Sequence, residues 1–360
     1  MKTSKPLPSI ESIADIQHLA MQGFDNWLLY GHVNVIPRGD LLLFDYNTGA
    51  YIAYEWRFFE RVSRGLILNR RTGEIVARPF DKFFYWLRGP KATGHIVTVT
   101  EKIDGSLGIL YRHKGEYHIA TKGSFFSPQA RWATQFLRQN FDLTDLPNDL
   151  TLLFEIIYPD NRIIVDYEGR QDLVLLAARN RFTGDFLPFF PDVYELAQRY
   201  GFTLPRVYHF NNVNDIIAQT GQINANFEGW VVEFSDGQRF KFKLDEYVEI
   251  HQLLRGLDFK AVLQGLAGGN INRVLDVVPE VFLGDVKRWA EEIQIALVDL
   301  KEQVAAVFDV APKADAVSFE AWVKTEHPAL EPYLLAMFNG EDLDRVIYQH
   351  AFKERLAQEK

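Results

Sequence analysis

The sequence predicts an α+β domain over residues 1–250 followed by a smaller all-α domain over residues 251–360. Three observations carry this. At 360 residues the chain is roughly twice the usual size of one domain. Before residue 250 short β-rich runs alternate with turn signals, and beyond it apolar residues recur at three- and four-residue steps. Charge shifts at the same place: residues 251–360 carry −6 of the net −9, leaving −3 for the longer first part. The boundary is expected at about 250–260.

Taken in order, Ser9 to Gly23 reads as a capped amphipathic helix, with Ile10, Ile13, Ile16 and Leu19 in register and Gly23 as its stop. Strand runs follow at 96–100, 107–111 and 117–121, the last two joined by the turn Lys114-Gly115-Glu116. Further strands are predicted at 150–157, 162–167, 173–178, 230–234 and 239–243, with helices at Asp192 to Tyr200 and Val213 to Thr220. Beyond the boundary Val286, Trp289, Ile293, Leu297, Leu300, Val304 and Val307 mark a long helix, and Leu343 to Leu356 a second.

Composition excludes several classes. With 47% hydrophobic and 14% aromatic residues the chain has ample core material and is not a disordered or fibrous protein. A pI near 5.5 excludes a uniformly basic surface. There is no cysteine, so disulfides, a thiolate nucleophile and cysteine-held metals are excluded. The N-terminus lacks the apolar core of a signal peptide, and no run approaches the roughly 18 apolar residues of a membrane span, so a cytoplasmic protein with no membrane partner is expected. Neither G-x-x-x-x-G-K-[ST] nor G-x-G-x-x-G occurs, and the nine histidines show no metal-ligand spacing.

The informative segment is Glu101-Lys102-Ile103-Asp104-Gly105-Ser106. A lysine ending a strand, followed by an acidic residue and a glycine turn, can push an amine into a pocket while backbone N–H groups stay free for an anion. The plain alternative is a hairpin turn. Lys241 and Lys243 alternate with Phe242, so both lysines share one strand face and suit a phosphate. Glu155 and Glu228 stand in apolar strand context, where a carboxylate needs a cation or hydrogen-bond donors. A buried salt bridge of either glutamate to Arg162 or Arg179 is the alternative.

Together these segments resemble the covalent nucleotidyltransferases, and among them the phage-type RNA ligase 1 family of ATP-dependent RNA ligases. Lys102-Ile103-Asp104-Gly105-Ser106 is similar to the family's nucleophile motif, and Thr121-Lys122-Gly123-Ser124 follows it. Phe154-Glu155-Ile156-Ile157-Tyr158-Pro159, Glu228-Gly229-Trp230-Val231-Val232 and Lys241-Phe242-Lys243-Leu244-Asp245-Glu246-Tyr247 resemble the later motifs in order. Upstream, Ser63-Arg64-Gly65-Leu66 and Arg78-Pro79-Phe80-Asp81-Lys82-Phe83-Phe84 match the elements before the nucleophile, so the resemblance spans about residues 55–250.

The resemblance implies an adenylyltransferase domain of antiparallel sheets with flanking helices, ATP and Mg²⁺ (or Mn²⁺) as cofactors, and RNA with 5′-phosphate and 3′-hydroxyl ends as partner. An end-healing kinase or phosphatase is a candidate further partner. Lys102 would become the lysyl–AMP nucleophile, with Glu228, Lys241 and Lys243 as further catalytic residues. Glu155 and Glu228 would hold the metal largely through water. Arg64 would serve the nucleotide pocket or the 5′-phosphate, and Lys82 the ATP β/γ-phosphates. Glu101, Asp104, Gly105, Lys122 and Gly229 would complete the nucleotide site, with adenine bonded to backbone near Glu101. Nearby Lys122, Lys241 and Lys243, with bound metal, are expected to depress the pKa of Lys102. A DNA ligase or an mRNA-capping guanylyltransferase shares the lysine motif, but both carry a β-barrel after it, where residues 251–360 read as helices. A non-catalytic RNA-binding relative is the reading from another class.

Overall fold

The computed structural model describes residues 9–53, 56–86, 92–221, 226–245, 247–248, 259–269, 271 and 280–352. They divide into two units, Met1–Tyr247 and Val248–Lys360. Most of the expected boundary, Glu246 and residues 353–356 of the last expected helix lie outside the described residues.

In the first unit the opening helix α1 (Ile13–Met21) is shorter than its apolar pattern, because Ser12 caps it. The Ser12 hydroxyl accepts from the Asp15 backbone N–H while the Asp15 carboxylate accepts from that of Ser12. Two short helices follow, α2 (Thr48–Ile52) and α3 (Phe58–Val62). Strands β1 (Val33–Arg38), β2 (Leu41–Tyr46), β3 (Arg64–Asn69) and β4 (Ile75–Ala77) make an antiparallel sheet in that order. Alternation divides its apolar residues: Leu42, Phe44, Leu66 and Leu68 pack with Ile16, Ala20 and Trp27, while Leu41, Leu43 and Ile67 pack with Ile109, Tyr111 and Leu153 of a second sheet.

The remaining elements of this unit are β5 (Phe84–Tyr85), β6 (Ile96–Glu101), β7 (Ser106–His113), β8 (Glu116–Ala120), α4 (Pro128–Asn140), β9 (Leu150–Ile157), β10 (Asp172–Asn180), α5 (Tyr194–Tyr200), β11 (Val207–Tyr208), α6 (Val213–Gln219), β12 (Gly229–Phe234) and β13 (Arg239–Lys243). The second sheet runs β10-β9-β7-β8 and the third β11-β6-β12-β13-β5, antiparallel throughout save for the β13–β5 pair. Leu152, Phe154 and Ile156 of β9 face a core closed by Ala133 and Leu137 of α4 and Ala197 of α5. Leu153 faces the first sheet, and by the same alternation Glu155 points out of that side.

No strand forms at 162–167, where the sequence predicts one. The N–H groups of Ile164 and Val165 instead donate to Asp104 Oδ2 at 2.9 and 3.0 Å, so side-chain oxygen replaces a neighbouring strand.

The described residues of the second unit form helices and no strand: α7 (Phe259–Ala267), α8 (Glu280–Asp309), α9 (Ala316–Glu326), α10 (Glu331–Asn339) and α11 (Leu343–His350). Val304, Phe319, Val323, Leu334 and Ile347 form one core there, and Val262, Val286 and Ile293 another. No helix among the described residues is long and apolar enough to cross a membrane.

Candidate active site

Cross-strand rows on one face of the third sheet build the floor of a cavity. Thr98 pairs with Glu233 and Glu233 with Arg239; one row on, Thr100 pairs with Val231 and Val231 with Lys241. These six side chains line a cavity of about 240 Å³. The opposite wall comes from the second sheet, where Leu107 and Glu155 are joined by Leu176 and Ala177. A register shift between Leu175 and Ala177 turns those two consecutive residues to the same side. Leu187, Phe189 and Val193 contribute apolar lining, and Arg64, Lys102, Glu155 and Lys241 polar lining. A cavity with both apolar and cationic lining suits a nucleoside monophosphate.

Lys102 follows β6 directly, and its backbone N–H donates to the Gly229 carbonyl at 2.8 Å. Its ammonium donates to Glu228 Oε2 at 2.6 Å, while Lys243 Nζ lies 2.8 Å from Glu228 Oε1. Burial alone would lower the Lys102 pKa, but the Glu228 and Glu155 carboxylates outweigh it and hold the group above the ordinary lysine value. Among the protein's own groups carboxylates, not cations, dominate around Lys102, so Lys122, Lys241 and Lys243 do not by themselves produce the depression expected of them together with a bound metal. Lys241 in contrast is held well below the usual value by burial and by Arg64, Lys102 and Lys82.

Glu228 is buried and ionised, its pKa kept low by Lys102 and Lys243 against the opposing effect of burial. Glu155 has no comparable partner, and burial pushes its pKa up to about 7 despite the pull of Lys102. Neither glutamate pairs with Arg162 or Arg179, which lie 2.8 Å from Asp166 and Asp81 respectively. Gly229 has φ +138°, and a Cβ there would collide with the Phe242 carbonyl, so only glycine lets β12 and β13 close beside Lys243.

Arg64 reaches the cavity over the ring of Phe83, 5.4 Å from its centroid, and its Nη1 is buried without a hydrogen-bond partner. Glu101 and Gly105 line the same space, and burial raises the Glu101 pKa. Other expected residues stand elsewhere. Asp104 turns away: besides Ile164 and Val165 it accepts from Tyr247 Oη at 2.7 Å, and its own N–H donates to Tyr167 Oη. It ties the turn after Lys102 to the segments around 165 and 247. Lys122 pairs with Asp45 at 2.7 Å. Lys82 borders a neighbouring groove and sits among the rings of Tyr46, Tyr51, Trp56 and Phe84.

Sequence reasoning missed Glu233 and Arg239, an ion pair of 2.6 Å at the cavity floor. The parity that selects Lys241 and Lys243 also selects Arg239. It missed Asp45, Tyr51 and Trp56 as well, for which no motif signal exists.

Among the described residues no three His, Asp or Glu side chains converge as a metal cage. Glu155, an elevated carboxylate aimed into the cavity, fits a hydrated ion that leaves most positions to water.

A family model described as RNA ligase matches residues 62–248. A protein of Autographa californica nuclear polyhedrosis virus assigned as a bifunctional polynucleotide kinase/RNA ligase is 30% identical over 223 residues, 52% of this chain and 30% of its own length. A Thermovibrio ammonificans protein assigned as an RNA ligase is 30% identical over 182 residues, covering 48% of this chain and 47% of that one. This chain thus spans less than half of either relative. Among solved structures, an archaeal ATP-dependent RNA ligase aligns with a TM-score of 0.50 at 19% identity over 78% of both chains, a likeness of fold.

Proposed function

The chain belongs to the phage-type RNA ligase family, and from that premise we propose that it joins RNA 5′-phosphate and 3′-hydroxyl ends with ATP. The observation that carries this reading is Lys102, its Nζ anchored on Glu228, lining a cavity that also presents Arg64, Glu155 and Lys241. The neutral amine attacks the α-phosphorus, the N–P bond forms and pyrophosphate leaves. The RNA 5′-phosphate oxygen then displaces Lys102 from AMP, and a 3′-hydroxyl finally displaces AMP to seal the strand. Each step is an in-line displacement, so positioning and charge neutralisation supply most of the rate.

The chain's own residues divide this work. Glu228 positions Lys102 and Lys243. Lys241 and Arg64 present cationic groups toward the α-phosphate. Glu155, and Glu228 through water, would hold Mg²⁺ or Mn²⁺, which supplies charge neutralisation at the phosphate oxygens and offsets the carboxylate field on Lys102. The part from about residue 251 to 360 is assigned to RNA choice, and the setting to the cytoplasm.

Transfer of label from [α-³²P]ATP to the protein, followed by sealing of 5′-phosphorylated RNA, tests the reading. Parallel arms with GTP and with DNA strands separate it from a capping enzyme and a DNA ligase. Absence of a labelled protein adduct overturns it.

A further inference from the structure

Arg38 ends β1, an edge strand of the first sheet, and packs on β7 beside β8, the edge strand of the second. Its guanidinium donates to the Tyr111 hydroxyl and lies over three rings, Tyr111 at 5.6 Å, Phe125 at 5.8 Å and Phe126 at 4.8 Å. His118 of β8 stacks on Tyr111 with centroids 5.5 Å apart, and the His113 ring stands 6.4 Å from that of His118. The carboxylates of this rim are taken: Asp40 pairs with Arg71 at 2.9 Å and Glu116 with Arg138 at 2.8 Å, and among the described residues none is paired with Arg38.

The rim therefore carries an excess of positive charge, from Arg38 and from Lys114 in the β7–β8 turn. Both histidines feel it. Burial, then Arg38 and Arg138, hold the His118 pKa down to about 4 against the pull of Glu116, and burial, Arg38 and Lys114 lower that of His113. Phe126 is 54% exposed, with Arg38 over its ring. The turn that carries it is fixed by hydrogen bonds, since the Thr121 N–H donates to the Ser124 carbonyl at 2.9 Å and the Phe126 N–H to Ser124 Oγ at 3.0 Å. A Cβ on Gly65 would lie 3.3 Å from the Lys122 Cα, so the same turn packs against the neighbour of Arg64, which lines the cavity.

We propose that this rim binds an unpaired stretch of the RNA substrate outside the catalytic cavity, with Arg38 and Lys114 on the phosphate backbone and the Phe126 ring under a base. The inference rests on the RNA ligase reading. An exposed ring on a fixed turn, beside an arginine without a carboxylate, is what a single strand requires, since phosphates supply the charge and every base supplies a face. A double helix would meet the cations through its phosphates but has no free base face for Phe126.

The test measures binding of a short 5′-phosphorylated single-stranded RNA to the full chain across a salt series, beside self-labelling from [α-³²P]ATP. Phe126→Ala is expected to weaken binding about ten-fold with the salt slope unchanged, and Phe126→Trp to keep parental binding. Arg38→Gln is expected to weaken it about five-fold at about 0.1 M salt and to reduce the log–log slope by about 0.7, one phosphate contact. Lys114→Asn, which suits the left-handed backbone there (φ +51°), should reduce the slope likewise. Unaltered RNA binding in Phe126→Ala and Arg38→Gln overturns the proposal. So does a loss in Arg199→Gln, on α5, equal to that in Arg38→Gln, since a general surface field then explains the effect. Self-labelling should stay at the parental rate throughout, and a fall that accompanies the loss of RNA binding makes the rim a support of the nucleotide site instead. If the unaltered chain neither labels nor seals, the ligase reading itself fails.

Discussion

Lys102 and Lys243 hold opposite oxygens of one buried carboxylate, Glu228, at 2.6 and 2.8 Å. Two ammonium groups and one carboxylate leave the trio with a net positive charge, and the candidate nucleophile rests in its protonated form.

Removing the shared partner leaves two buried cations uncompensated. Glu228→Ala is expected to lose about 3–5 kcal/mol of stability, the cost of breaking a buried ion pair, together with sealing activity. Denaturant unfolding and a sealing assay check both. A variant as stable and active as the parent removes Glu228 from the site.

Lys102→Ala separates the chemical steps. It is expected to abolish the labelled protein adduct while still sealing RNA supplied already adenylylated, as gel assays with the two substrates would show. A persisting adduct places the nucleophile elsewhere.

Glu155 predicts a pH dependence of stability. Its folded pKa of about 7 lies above the unfolded value, so the folded protein keeps a proton the unfolded chain gives up. That contribution is complete below the unfolded pKa and is lost as pH rises through about 7, on the order of 3 kcal/mol. Unfolding midpoints of the parent should fall between pH 5 and 8 relative to those of Glu155→Gln. Parallel curves would refute the assignment.

Lys241, buried without a carboxylate, is a stability cost carried at the site. Lys241→Met is expected to raise the unfolding midpoint and to slow self-labelling by roughly 10²–10³-fold, the usual effect of removing one transition-state charge contact. A variant that labels at the parental rate makes Lys241 a bystander.

Asp104 positions the turn and does not touch the cavity. Asp104→Ala, which orphans two N–H groups and a tyrosine hydroxyl, should cost about 3 kcal/mol or more. Tyr247→Phe should cost about 1 kcal/mol. Chemical denaturation of the two variants gives the ranking, and the reverse order would contradict the network.

Much of this was legible in the sequence where side chains alternate. The strand at 239–243 stands where its alternation puts it, because a pleated strand with one buried face leaves little freedom of register, while the one at 150–157, apolar on both faces, is legible from its length and apolar run between turn residues. Lys102, Glu155 and Lys241 accordingly meet in one cavity. The first sheet was not legible: β2 reads Leu-Leu-Leu-Phe, apolar on both faces because cores lie on both sides, and such a run carries no period. The segment at 162–167 misled for the opposite reason, since its β-branched residues answer to the Asp104 carboxylate sixty residues away. Which cations are paired is a property of packing, and no spacing in the chain reports that Asp45 takes Lys122 and leaves Lys82 to aromatic rings.

The cross-strand rows on β12 and β13 also govern which changes of chain length the fold tolerates. Deleting one residue inside β13 would rotate Phe242 into the place of a lysine and bury both ammonium groups against Trp230 and Val232 on the sheet's other face. The same deletion in the turn at 235–238, before the rows begin, would leave every lysine on its side. Length variation among descendants of this chain should therefore gather in that turn and spare the five residues after it.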